Sequence, residues 1–145
     1  MEDLDKPREV AGAAQDIIDT LISFGFQWDA EIIYQSQRDD IYLQALEQLT
    51  SQHLAYPCSC SRKDINSAAR MGIDGPVYPG FCRDGLPEGK QPRSWRLQVN
   101  NDSIEFEDRV QGKQSQILGR QVGDFVLKRA DGLFAYQLAV VADDA

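Results

Sequence analysis

Two stretches in the first third of the chain space their apolar residues as amphipathic helices do. The first covers positions 12–24 and is followed by Gly25, a residue type that commonly ends helices. The second begins after Ser36, which stands three residues before Asp39 and predicts an N-cap. Each predicted helix has one apolar face, formed by Ala14, Ile17, Ile18, Leu21 and Ile22 in the first and by Ile41, Tyr42, Ala45, Leu46 and Leu49 in the second.

The pattern changes from helical spacing to alternation after Pro92, which predicts strands. A further strand is predicted over 124–129, and Asp131-Gly132 after it is a strong hairpin turn. The apolar run 136–142 fits a strand and a buried helix equally well. The alternating apolar positions are Trp95, Leu97 and Val99 in one strand, and Ile104 and Phe106 in the next.

All three cysteines of the chain lie within positions 58–82, around a short predicted helix that Ser61 can cap over 62–70. Cys58 and Cys60 are too close for an easy disulfide, because alternate residues of an extended segment point to opposite sides. A turn that gathers both thiolates round one ion, with Cys82 arriving through a loop at 72–76, is chemically simpler. The cluster predicts a structural zinc site, and three small buried thiols are the alternative.

The fourth zinc ligand is open between two residues. His53 lies five residues before Cys58, and Tyr78 lies four residues before Cys82. Imidazole is a usual zinc donor and phenol is not, so residue type alone favours His53. Either choice completes a tetrahedron and leaves no position for a catalytic water. A secreted disulfide framework is disfavoured, because one cysteine would be left over and no signal peptide is recognisable.

Composition predicts a soluble globular domain of the cytoplasm, without a membrane span. The net charge of −8 argues against a nucleic-acid partner, but its distribution weakens that argument. Positions 58–96 hold seven basic residues against four acids, a net +3, which leaves −11 for the rest of the chain. A positive, cysteine-bearing lobe can meet a phosphate backbone, whereas arginines scattered over a solvated surface explain the charges equally well.

Five segments stand in order along nearly the whole chain and resemble successive blocks of the class I glutamyl-tRNA synthetases. The resemblance is closest to the short branch of that family that acts on tRNA(Asp). The segments are Glu-Asp-Leu-Asp-x-Pro-Arg from Glu2, Trp-Asp from Trp28, Tyr-Gln-Ser-Gln-Arg from Tyr34, Ala-Tyr-Pro-Cys-Ser-Cys-Ser-Arg from Ala55, and Gly-Asp-Phe-Val-Leu-Lys-Arg-Ala-Asp-Gly-Leu-Phe-Ala-Tyr-Gln-Leu-Ala-Val-Val-Ala-Asp-Asp from Gly123.

The resemblance implies a ligase that uses ATP with Mg²⁺ to activate L-glutamate and passes the glutamyl group to the queuosine base of tRNA(Asp). It implies a monomer, with Glu2 and Tyr136 holding the amino acid, since a carboxylate can pair with its ammonium and a phenol can hydrogen-bond it. The residues alone, without the resemblance, favour a solvated terminus for Glu2 and a core aromatic for Tyr136. A family tyrosine aligns with Tyr78, so the resemblance ranks Tyr78 above His53 as zinc ligand, and the cation would stabilise its phenolate.

The implied fold class is α/β: the central portion of a Rossmann-type catalytic domain, with a zinc-stapled inserted subdomain and antiparallel strands. Residues 1–145 would form one partial domain. It would comprise a helical part of the Rossmann half (1–54), the zinc-binding insertion (55–92), and antiparallel strands with a hairpin that return to the catalytic core (93–145). The family's two ATP-binding motifs, like His-x-Gly-His and Lys-Met-Ser-Lys-Ser, are absent, so the resemblance implies an internal fragment that is inactive alone.

Two other functions remain as alternatives. One is an ordinary glutamyl-tRNA synthetase that charges tRNA(Glu), which would be followed by a helical anticodon-binding domain. The other is a zinc-stapled RNA-binding module without catalysis, since one histidine and no conspicuous nucleophile do not by themselves indicate an enzyme.

Overall fold

The part of the chain that the computed structural model describes, residues 1–73 and 75–145, combines helices with short antiparallel strands. The predicted loop 72–76 contains Asp74, which lies outside the described residues. In chain order the elements are α1 (Ala13–Ser23), α2 (Asp39–Ser51), β1 (Ala55–Cys58), α3 (Arg62–Ala68), β2 (Ser94–Leu97), β3 (Ser103–Asp108), β4 (Gly112–Ile117), α4 (Leu118–Gln121), β5 (Val126–Lys128) and α5 (Tyr136–Asp144), with single-turn 3-10 helices at Lys6–Arg8 and Gln35–Gln37.

Both predicted N-terminal helices are confirmed as α1 and α2. Helix α2 buries Tyr42 and Leu46 from its apolar face, whereas Ile41 at the edge of that face stays exposed. Helix α1 has the predicted spacing, but Ile18 is its one buried residue among those described. Its remaining apolar side chains, with Ile22 as an example, face outward from this part of the protein.

The predicted N-cap at Ser36 is wrong. Ser36 lies in the 3-10 turn before α2, and Arg38 occupies the N-cap position without a capping side chain. The Ser36 hydroxyl and amide instead donate to the Asp3 carboxylate, at 2.5 and 2.9 Å. A charged acceptor from the N-terminal segment competes well for the hydroxyl, because hydrogen bonds to an ionised group are roughly twice as strong as neutral ones.

The main core lies where α2 and α5 pack against the sheet. Tyr42 is fully buried, meets Phe134 edge to face at 5.7 Å between ring centroids, and donates from its hydroxyl to Asp143 of α5. This packing decides between helix and strand for the run 136–142, which forms α5 because a helix places Leu138 and Ala139 on the side that faces α2.

The three-stranded sheet has the order β1–β2–β5, and both pairings are antiparallel. Ala55 pairs with Leu97 and Cys58 with Ser94, so the whole segment 59–93 leaves and re-enters the sheet at one end. Every strand pair of the described residues is antiparallel, as predicted for this portion. The parallel Rossmann sheet and the boundaries at 54/55 and 92/93 remain predictions.

The predicted strand at Ile104 and Phe106 is β3, but it belongs to a separate hairpin with β4 and not to the sheet of β2. Strand β4 was not predicted, because Gly-Lys-Gln-Ser-Gln-Ile carries no alternating apolar pattern. Ile104 and Phe106 point to the same face of β3 and are both more than half exposed, so that face of the hairpin is not covered by the rest of the described chain.

The turn predicted at Asp131-Gly132 is confirmed. Gly132 has φ +89°, a conformation that favours glycine, and the Arg129 amide donates to the Leu133 carbonyl at 2.8 Å. The hairpin contains one bridge, between Lys128 and Phe134, because the chain turns into α5 two residues later. Throughout residues 1–73 and 75–145, none of the helices has the length and apolar character needed to cross a membrane.

Candidate functional site

The three cysteines come together at the end of β1. Cys58 ends that strand, Cys60 precedes α3, and Cys82 arrives from the loop beyond it. Their Sγ atoms all lie within 4.8 Å of one another, with 3.7 Å between Cys60 and Cys82, and no disulfide forms. The Ser61–Asp64 capping box, in which each residue's side chain binds the other's backbone amide, holds the start of α3 directly beside Cys60.

Tyr78 is the fourth member of this cluster, which we call the cysteine cluster (Cys58, Cys60, Tyr78, Cys82). Its buried hydroxyl oxygen lies 3.4 Å from Cys58 Sγ and 3.5 Å from Cys60 Sγ, and accepts from the Cys82 amide at 3.0 Å. His53 is exposed two residues beyond the end of α2 and is not among the residues whose ligand atoms gather here. Three thiols and a phenol on one small volume fit a tetrahedral zinc ion.

The ionisation of the cysteine cluster is uneven. Burial raises the pKa of the Cys60 thiol to about 11, and the neighbouring thiols add to that shift. Burial also opposes ionisation of Cys82, but hydrogen bonds from Tyr78 and Ser59 outweigh it and lower the Cys82 pKa to about 7. Burial and the adjacent thiols raise the pKa of Tyr78 well above its usual value. A cation would favour all four ionised forms at once, since it supplies the missing positive charge.

A buried carboxylate ties the segment between β1 and β2 (residues 59–93), which we call the cysteine loop, to the sheet. Asp124, just before β5, accepts from the Tyr56 hydroxyl, from Arg83 Nε at 2.6 Å and from the Val99 amide at 3.0 Å. Arg83 directly follows Cys82, and its guanidinium makes a second contact with Asp124 at 2.5 Å. This network leaves no pattern in the sequence, because its members come from four separate segments.

Arg96 lies between the apolar positions Trp95 and Leu97 of β2, and it is buried although it carries a charge. Its side of the sheet is covered by the cysteine loop, and the residue is 7% exposed. The guanidinium stacks 4.0 Å over the Tyr78 ring and donates to the Asp124 carbonyl at 2.7 Å. Cation–π contact and a backbone acceptor thus replace part of the water that this charge loses on burial, while the buried Nε has no hydrogen-bond partner among the described residues.

The structure brings Glu2 and Tyr136 to one cavity of about 440 Å³, although they are near opposite ends of the chain. Tyr136 is the first residue of α5 and is 54% exposed, and Glu2 is also exposed. Neither therefore serves as a core residue. Arg8 and Arg129 line the same cavity, so carboxylate and guanidinium groups face one small space. Such mixed charges suit a zwitterion that carries both an ammonium and carboxylates.

Ion pairs fix the walls of this cavity. The Arg129 guanidinium contacts Asp5 at 3.2 Å and Asp131 at 2.5 Å. Asp3, beside Glu2, is held by Ser36; burial opposes its ionisation, but the two hydrogen bonds from Ser36 and the Lys6 ammonium lower its pKa to about 2. No role for Arg129 was predicted, since the sequence marks it only as part of the block that begins at Gly123.

Comparison with known proteins identifies the class. The family described as tRNA synthetases class I (E and Q), catalytic domain, matches residues 1–145. The chain belongs to this family. Its fold agrees with two solved structures, a glutamate tRNA ligase of Elizabethkingia meningosepticum (TM-score 0.77, 23% identity) and a glutamate-tRNA synthetase of Elizabethkingia anophelis (TM-score 0.79, 24% identity); each match covers 99% of this chain and 34% of the other.

More similar relatives carry a narrower name. The glutamyl-Q tRNA(Asp) synthetase of Chromobacterium violaceum is 57% identical over 145 residues, which are 100% of this chain and 49% of the relative. That of Dechloromonas aromatica is 57% identical over 147 residues with the same coverage, and that of Geobacter sulfurreducens is 54% identical over 147 residues, or 99% of this chain and 47% of the relative. The chain spans about half the length of the curated relatives it matches.

Proposed function

We propose that the chain is part of a ligase that activates L-glutamate with ATP and transfers it to the queuosine base of tRNA(Asp). Its similarity to relatives named glutamyl-Q tRNA(Asp) synthetase supports the choice of RNA. One observation of the structure carries the choice of amino acid, namely the shared cavity of Glu2 and Tyr136. ATP enters with Mg²⁺, as the phosphate chemistry of an aminoacyl adenylate requires.

In this proposal the residues of the cavity divide the charges of glutamate among them. The Glu2 carboxylate pairs with the substrate ammonium, and the Tyr136 hydroxyl hydrogen-bonds the same end of the molecule. Arg8 and Arg129 both pair with Asp5 in the structure, and in this proposal they exchange part of that pairing for the carboxylates of the ligand. An amino acid without a side-chain carboxylate loses that interaction, which provides selection for glutamate.

The proposal gives the cysteine cluster a structural zinc ion, held by Cys58, Cys60, Tyr78 and Cys82. Four protein ligands leave no open coordination position, so the ion would fix the loop and take no part in the reaction. The donor distances around Tyr78 support this ligand set over one with His53. Three reduced cysteines further favour the cytoplasm as the site of action, with the protein working as a monomer.

Two assays of the full-length gene product test the proposed function. The first measures ATP–pyrophosphate exchange, which we expect to depend on glutamate and to need no tRNA(Glu). The second measures attachment of labelled glutamate to tRNA(Asp) with queuosine, to the same tRNA without queuosine, and to tRNA(Glu). We expect attachment to the first substrate alone. Attachment to tRNA(Glu) and not to queuosine-bearing tRNA(Asp) would assign the protein to the ordinary glutamyl-tRNA synthetases.

A further inference from the structure

A second cavity, of about 540 Å³, lies between the start of α3 and the turn after β5. We call it the basic cavity. One acid, Asp131, is found among the residues that line it, although the chain as a whole carries a net charge of −8. The lining cations are Arg62, Lys63, Arg93, Arg96 and Arg129.

Three of these cations form no ion pair within the described residues. Arg62, Lys63 and Arg93 are exposed, and in residues 1–73 and 75–145 no carboxylate oxygen comes within 4.0 Å of their charged atoms. By contrast, Arg129 is paired with two aspartates and Arg96 is buried against Tyr78. The electrostatic field of Arg62, Lys63 and Arg93 is therefore available to an external anion, and the low-dielectric walls of a cleft focus it.

The backbone that carries these charges is held in place. Arg62 and Lys63 are the first residues of α3, directly inside the Ser61–Asp64 capping box. The Arg93 amide donates to the Cys58 carbonyl at 2.9 Å, which fixes Arg93 beside the sheet. The three cations thus project from a rigid frame next to the cysteine cluster, so little backbone entropy is lost when an anion binds.

The basic cavity adjoins the cavity of Glu2 and Tyr136. Val126 and Arg129 line both of them, so Arg129 forms a common wall. A polyanion in the basic cavity would lie next to the amino acid that the proposed function places in the other one. In the proposed function two polyanions must come to that amino acid, the ATP that activates it and the RNA that accepts it, and the spacing of the cations distinguishes between them.

We infer that the basic cavity binds the phosphodiester backbone of the RNA acceptor. This inference rests on the proposed function for the identity of the RNA. The uncompensated cations come from two separate segments, at 62–63 and at 93, and so match successive phosphates along a strand better than one compact phosphate group. They neutralise phosphates without reading bases, so they position the RNA, and its sequence or modification is read elsewhere.

The test compares two triple variants of the full-length protein that change net charge equally. One carries Arg62→Gln, Lys63→Gln and Arg93→Gln. The control carries Arg109→Gln, Lys113→Gln and Arg120→Gln, whose positions do not line the basic cavity. Binding of labelled queuosine-bearing tRNA(Asp) is measured by fluorescence anisotropy from about 50 to 200 mM salt. ATP and glutamate are omitted, so the result does not depend on catalytic activity.

For the cavity variant we expect at least a tenfold loss of tRNA affinity and a reduction of about two to three in the slope of log K against log salt, or roughly one per contact. For the control we expect a much smaller change in both. Equal losses in the two variants would show a general effect of charge and overturn the inference. Unchanged tRNA affinity and an unchanged salt slope in the cavity variant would overturn it too. Failure of the wild-type protein in glutamate exchange would count against the proposed function alone.

Discussion

Tyr136 is a residue at which the proposed substrate binding can be tested separately from folding. Its ring is half exposed at the start of α5, on the wall of the cavity it shares with Glu2. Tyr136→Phe keeps the ring and removes only the hydroxyl. A hydrogen bond to a charged ligand group contributes about 1.5–3 kcal/mol, so we expect glutamate affinity to fall by about one to two orders of magnitude. The measurement is the glutamate dependence of pyrophosphate exchange.

Thermal unfolding provides the control for this substitution. Because the tyrosine side chain is exposed and its hydroxyl has no partner among the described residues, we expect the unfolding temperature of Tyr136→Phe to match the wild type. An earlier unfolding transition with unchanged glutamate dependence would make Tyr136 a structural residue and remove its binding role.

Asp3 acts on stability in a way that depends on pH. Its pKa is lowered from 3.8 to about 2 in the folded protein: burial opposes ionisation, but the bonds from Ser36 and the Lys6 ammonium outweigh it. A lowered pKa means that the ionised form stabilises the fold above about pH 4, and that this contribution disappears as the pH falls through about 2. We expect Asp3→Asn to lower the free energy of unfolding by about 1 kcal/mol at pH 7.

Urea unfolding of wild type and Asp3→Asn at pH 7, 4 and 2.5 measures this difference. The difference in free energy of unfolding between the two proteins should be largest at pH 7 and should shrink toward pH 2.5. Asp29→Asn is the control, since this exposed residue makes no hydrogen bond or ion pair within the described part of the chain. A gap that is constant over this range would contradict a role for the Asp3 charge.

At the scale of secondary-structure elements, the cysteine cluster joins the end of β1, the start of α3 and the loop beyond α3. We expect one zinc ion per chain in protein purified without chelator, measured by elemental analysis. Tyr78→Phe should weaken zinc binding in a chelator competition, because the hydroxyl lies within 3.5 Å of two cysteine sulfurs. His53→Ala should leave zinc binding unchanged, because His53 lies outside the cysteine cluster. If the histidine substitution is the damaging one, the ligand assignment to Tyr78 is wrong.

The elements that could be predicted are those whose signals are local. Helix α3 follows from Ser61 and Asp64, because the capping box is complete within four residues. Strand β4 carries no such signal, since its polar side chains do not alternate with apolar ones, and only its pairing with β3 makes it a strand. The helix α5 could not be distinguished from a strand, because only its contact with Tyr42 of α2 selects the helical arrangement.

The candidate sites divide in the same way. The cysteine cluster could be predicted because all of its members fall within 25 positions, while the partnership of Glu2 with Tyr136 came only through family resemblance. Neither route reaches the Asp124 network, since a buried ion pair between distant segments leaves no periodic pattern in either of them. The N-cap predicted at Ser36 is wrong for the opposite reason. The local capping pattern was present, but the Ser36 hydroxyl donates instead to the distant carboxylate of Asp3.

For the molecule as a whole, Asp124 is the link that joins the cysteine loop to the sheet. Its side chain is fully buried and accepts from Tyr56, Arg83 and the Val99 amide. Asp124→Asn removes the charge that compensates Arg83 and replaces one acceptor oxygen by a donor. Breaking a buried pair in this way costs about 3 kcal/mol, because the partner is left uncompensated and the donors around it lose their acceptor.

The matched control is Glu105→Gln, which removes a carboxylate from an exposed pair with Lys113 on the β3–β4 hairpin and should cost less than about 0.5 kcal/mol. Urea unfolding compares the two variants, and chelator competition measures their zinc affinity. We expect Asp124→Asn to lower both the free energy of unfolding and the zinc affinity, because Arg83 directly follows the proposed ligand Cys82 and its release loosens the backbone there. A stable Asp124→Asn protein that retains its metal as the control does would show that the cysteine loop holds its position independently of the sheet.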